Sequence, residues 1–159
     1  MTTGESTLPK QRIEQLIQAC QAEAAKSIES GDPPFGCVIV NALGEIVVRA
    51  HNTTISDCDI TAHAEIKALR ELGQKVGNRK LPGYILLGNA ASCAMCMTAA
   101  IKAGIVEYYY GAPSEPDMDP ALTMADVAAS SKLNIKITGP ILAEECLAQI
   151  IQGRNALTK

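Results

Sequence analysis

Residues 84–110 read YILLGNAASCAMCMTAAIKAGIVEYYY. Tyr84 to Leu87 and Ile105 to Tyr110 are short apolar runs of strand length, and the segment between them, Cys93 to Ala103, reads as a helix. Upstream, a helix is expected from about Ala62 to Leu72, preceded by a polar loop, His51 to Asp59. Before that loop, Cys37 to Val40 reads as a buried strand, Asn41 to Gly44 as a turn and Glu45 to Arg49 as its hairpin partner. A first helix, about Lys10 to Ser30, follows from Ile13, Leu16, Ile17, Cys20, Ala24 and Ile28 recurring on one face, and Gly31-Asp32-Pro33-Pro34 breaks it. Downstream, Thr123 to Ala129 looks helical, Asn134 to Thr138 like a last strand and Leu142 to Ile151 like a closing helix. This alternation predicts an α/β fold, a three-layer α/β/α sandwich with a mixed sheet of about five strands.

The bulk numbers agree with one domain. The chain has 159 residues, 47% apolar and 19% charged, an ordinary globular balance. Residues 1–9 are expected to form a polar tail and 10–159 a single domain. No apolar stretch is long enough for a membrane span, and Met1 to Glu5 has no secretory pattern, which predicts a cytoplasmic protein. The net charge is −3 and the 14 Lys and Arg residues are scattered along the chain, which argues weakly against nucleic acid as a partner.

Six cysteines occur, and in a reducing compartment a C-x-x-C pair points to metal or redox chemistry. Cys20, Cys37 and Cys146 lie in apolar contexts, where a thiol acts as a small hydrophobe. Cys93 and Cys96 open a helix, whose dipole favours thiolates. With His63 as a third ligand they make a candidate zinc site that keeps a fourth position for water. Zinc would bring the pKa of that water towards about 7. Glu65, two residues from His63, could take the water's proton, pass it to a ring nitrogen and help protonate a departing amine.

His-x-Glu followed by Cys-x-x-Cys resembles the cytidine deaminase-like superfamily, in the branch of guanine deaminases, cytosine deaminases and tRNA adenosine deaminases. The likeness runs from about Arg12 to Ile151. It rests also on Pro34-Phe35-Gly36-Cys37-Val38-Ile39-Val40, on His51-Asn52 followed by Thr61-Ala62-His63-Ala64-Glu65, and on Ile141 to Cys146. The resemblance implies zinc on His63, Cys93 and Cys96, with Glu65 as proton shuttle. It implies a substrate-binding Asn52, a donor in the backbone amide of Ala64, and Phe35 as a ring packed against the substrate. It also implies a homodimer and a small heterocyclic amine substrate, most readily guanine-like. One departure stands out. The family usually has Glu-Pro before the first cysteine, whereas this chain has Ala91-Ser92. Ser92 is expected to order the turn as an N-cap in place of proline.

Bland readings stand beside these. Glu65 could be a first-turn carboxylate, Asn52 a turn cap and Phe35 ordinary core. A closed, structural zinc with Cys58 or His51 as fourth ligand is the rival for the metal. His51 reads as a loop residue, Glu144 and Glu145 as a solvated face, and Asp117 and Asp119 as turn formers. Three functions remain open: a deaminase of free bases or nucleosides, a tRNA adenosine deaminase, and a non-catalytic zinc-stabilised protein. The acidic balance and the sparse basic C-terminus, Arg154 and Lys159, favour the first over the second.

Overall fold

The apolar stripe of the first helix decides where the sheet is covered. In the computed structural model, which describes residues 7–157, α1 spans Lys10–Ser30, and Ile13, Leu16, Ile17, Cys20 and Ala24 are all buried. Gly31 ends it at φ 81°, the left-handed conformation that glycine adopts without strain. The chain continues through β1 (Gly36–Val40), β2 (Ile46–His51), α2 (Ala64–Val76), β3 (Ile85–Ala90), α3 (Ala94–Lys102), β4 (Glu107–Ala112), α4 (Met124–Ala129), β5 (Lys136–Thr138) and α5 (Ala143–Leu157).

The five strands form one sheet in the order β2-β1-β3-β4-β5. β1 is antiparallel to both β2 and β3, whereas β4 runs parallel to β3 and β5. The sheet is mixed, as expected. The parallel pairs follow from the helices that connect them, since a parallel return needs a crossover. Successive strand residues point to opposite faces. Val38, Val40, Ile85, Leu87 and Tyr109 pack with residues of α1 and α5. Cys37, Ile39, Leu86 and Tyr108 pack with α2, α3 and Met124 of α4 on the other side. These are the three layers.

Several boundaries differ from the expected ones. β3 runs on to Ala90 through Gly88 and Asn89, residue types that strands usually avoid. Pairing to β1 on one side and β4 on the other overrides that local preference. His51 is the last residue of β2, not a loop residue, because it pairs with Gly36. The folded body begins before Lys10: Leu8 is buried, and Thr7 Oγ1 donates to Glu107 Oε1 at 2.6 Å. The rest of the expected tail, residues 1–6, lies outside the described residues, as does Lys159. Among the described residues, no helix is long and apolar enough to cross a membrane.

Candidate active site

Two helix N-termini meet at one end of the sheet. His63 is the N-cap residue of α2 and Cys93 that of α3, and neither side chain caps its own helix. They are turned towards each other instead. His63 Nδ1 lies 3.6 Å from Cys93 Sγ and 3.4 Å from Cys96 Sγ. The ligand atoms of His63, Cys93 and Cys96 all fall within 4.8 Å of one another. An imidazole nitrogen and two sulfurs at that spacing, with Cys93 and Cys96 at the positive end of a helix dipole, fit zinc.

The electrostatics single out the same residues. Cys93 is pushed down to about 4, foremost by a hydrogen bond with Cys96, while that bond and burial push Cys96 up. His63 is raised, chiefly by its bond to Cys93. Glu65, in the first turn of α2, is buried, and burial raises its carboxyl above the usual range. The remaining buried thiols, Cys20, Cys37 and Cys146, are all pushed up by burial, as small hydrophobes are.

The fourth-ligand rivals are elsewhere. His51 Nδ1 faces Glu23 Oε2 at 3.4 Å, and the Cys58 thiol is exposed on its loop, bonded to Ile55 O. Among the described residues the metal-binding group consists of His63, Cys93 and Cys96 alone. Ser92 does not cap α3. Ala91 N–H is still bonded to Ala112 O across the sheet, so the helix starts one residue later, with Cys93 at the cap position and Ser92 buried before it.

Asn52 and Phe35 are brought together at this end of the sheet, where Asn52 N–H bonds Phe35 O at 3.0 Å. Thr53 N–H bonds Ala62 O, the residue before His63. Asn52 is buried, and Phe35 is half-buried beneath the Arg154 guanidinium, 5.7 Å from its ring centre. Arg154 is also ion-paired with Glu115, in the loop after β4. Ala64 opens α2, so its N–H belongs to the first turn, which has no acceptor within the helix. Sequence reasoning missed the polar groups behind these residues. Asn89 accepts from Gly36 N–H and donates to Pro34 O, both at 3.0 Å, fixing the backbone around Phe35. Ser27 donates to Asn52 O at 2.7 Å. Asp32, read only as a helix breaker, binds the loop after Asn52.

A five-stranded α/β/α layer carrying a His-Cys-Cys metal group on paired helix N-termini defines a deaminase-type metal fold. Residues 10–112 match the cytidine and deoxycytidylate deaminase zinc-binding region, and the chain belongs to that zinc-dependent deaminase family. A tRNA-specific adenosine deaminase of Streptococcus pyogenes is 33% identical over 139 residues, covering 86% of each chain. A tRNA(Ile)-lysidine synthase of Deinococcus radiodurans is 38% identical over 105 residues, and the chain spans 18% of that protein's length. A solved structure from work on A-to-I editing by tRNA:A34 deaminases aligns with a TM-score of 0.77 at 26% identity, covering 85% of this chain and 98% of that one. A guanine deaminase of Nitrosomonas europaea aligns at 0.74 with 22% identity, covering 93% and 85%, a likeness of fold.

Proposed function

We propose that the protein hydrolyses the exocyclic amine of a free, purine-sized heterocycle to a carbonyl, releasing ammonia. The observation that carries this reading is the buried Glu65 carboxyl beside a three-ligand His63–Cys93–Cys96 group. Zinc held by these three residues supplies the Lewis acidity that makes water a nucleophile at neutral pH. Glu65 takes one proton from the attacking water on its carboxylate and delivers it to the ring nitrogen. It then takes the proton left on the added hydroxyl and passes it to the leaving amine as the carbonyl forms and the C–N bond breaks. A carboxyl raised by burial is suited to that exchange. The Ala64 N–H donates to the oxygen that forms, Asn52 holds the ring edge, and Phe35 walls the pocket. Six free thiols and a thiolate metal site suit a reducing compartment, the cytoplasm. A homodimer is the expected assembly, to be checked by light scattering at micromolar concentration.

The charge around the site supports a free base over RNA. Residues 53–62 and 113–122, the loops leading into α2 and out of β4, carry Asp57, Asp59, Glu115, Asp117 and Asp119 and no Lys or Arg. Arg154, over Phe35, is ion-paired with Glu115, and other cations line grooves along α2: Arg49, Lys67 and Arg70 one, and Arg70, Arg79 and Lys102 another. Repulsion at an acidic rim disfavours phosphates. The 33% identity to a tRNA-specific adenosine deaminase favours a second reading, adenosine in tRNA. Ammonia release should be measured with guanine, adenine, cytosine, their nucleosides, melamine and unmodified tRNA. Turnover of a free base or nucleoside, with no tRNA binding at physiological salt, is expected. Inosine formed in a tight, salt-sensitive tRNA complex would establish the second reading instead.

A further inference from the structure

Asp32 is a fully buried carboxylate that the proton chemistry does not use. It lies in the turn between α1 and β1 at 0% exposure. Among the described residues no cation pairs with it. A carboxylate in that setting is costly unless hydrogen bonds replace its water. Its four partners are specific. Ile55 N–H and Ser56 N–H donate to Oδ1 at 3.0 and 2.8 Å, while the hydroxyls of Ser56 and Ser30 donate to Oδ2 at 2.5 and 2.7 Å. Three of these donors come from the loop that follows Asn52.

That loop determines how Asn52 is presented. Thr54, next to Ile55, donates its N–H and its hydroxyl to Asn52 Oδ1 at 2.8 and 2.9 Å. A carboxamide oxygen accepting two hydrogen bonds has its acceptor sites filled, which leaves the Nδ2 donors as the group Asn52 can offer a bound molecule. Ser27, also fully buried, fixes the backbone of Asn52 from beneath.

We infer that Asp32 is a positioning residue for substrate recognition. By holding Ile55 and Ser56 it keeps Thr54 on Asn52 Oδ1, so Asn52 presents a donor and selects heterocycles with an acceptor opposite it, a ring nitrogen or a carbonyl oxygen. The inference rests on Asn52 as a substrate contact. Alanine at position 32 frees the loop. Asparagine still accepts from both backbone amides, and its NH₂ can donate to the serine hydroxyls.

The test compares Asp32→Ala, Asp32→Asn, Asn52→Ala and the Asp32→Ala/Asn52→Ala double variant as zinc-loaded proteins, using whichever of guanine, adenine, cytosine and melamine the wild type turns over fastest. Asp32→Ala is expected to raise KM about tenfold, the scale of one lost hydrogen bond, with kcat and zinc content kept. Asp32→Asn should restore most of the loss, and the double variant should be no worse in KM than Asn52→Ala. Should Asp32→Ala fail to fold, Thr54→Val carries the same test, with KM moving in the same direction. NMR gives a substrate-free reading. The Asn52 side-chain amide protons, assigned by their loss in Asn52→Ala, should be sharp in the wild type and exchange-broadened in Asp32→Ala. Unchanged amide signals or KM in folded Asp32→Ala, or KM effects that multiply in the double variant, overturn the inference. An Asn52→Ala variant with wild-type KM overturns the reading of Asn52 instead.

Discussion

Cys93 and Cys96 stand three apart at the start of α3, so one helical turn presents both sulfurs to His63. Such local spacing is why the metal group was legible in the sequence, as was Glu65 two residues beyond His63. The groups that organise the site from behind were not legible, because their partners are distant in sequence. Ser27 and Asn52 are 25 residues apart, Asp32 and Ser56 24, and Gly36 and Asn89 53. Nothing local marks them. Replacing Cys93 or Cys96 with serine should empty the site, since two remaining ligands hold zinc poorly. Metal analysis should fall from about one zinc per chain to near none. Full occupancy in both variants would refute the ligand assignment.

At the scale of elements, apolar patterning located the five helices and five strands of the described residues, because most of them turn apolar side chains into the core. It misplaced their ends, which long-range pairing decides. β3 and β4 continue to Ala90 and Ala112 because those residues pair with each other, and the cap of α3 shifts with them. Gly36 shows how tightly α1 seats on β1. A Cβ there would lie 2.1 Å from Cys20 O and 2.5 Å from Ala24 N, both backbone atoms of a helix that cannot yield locally. Gly36→Ala should therefore cost about 3 kcal/mol or more, a fall in Tm of roughly 6 °C or more for a domain of this size. Calorimetry decides it. A variant melting with the wild type would mean that α1 packs less closely than described.

Across the whole molecule, charge is spread unevenly around the fold. The rim loops 53–62 and 113–122 hold only acidic charges, while cations line the grooves along α2. Net charge argued only weakly against RNA, and composition alone does not show where these charges sit in the fold. The reaction class was legible because chemistry demands those residues at that spacing, whereas no motif of this kind names the substrate. The central claim is that this molecule deaminates by a proton carried on Glu65. Glu65→Gln keeps the side chain's shape, is not among the metal group, and cannot accept a proton. The decisive measurement pairs zinc analysis with ammonia release from the best panel substrate. About one zinc per chain with turnover reduced by roughly 10² to 10⁴ is the predicted result, and near-normal turnover in the zinc-loaded variant would contradict it.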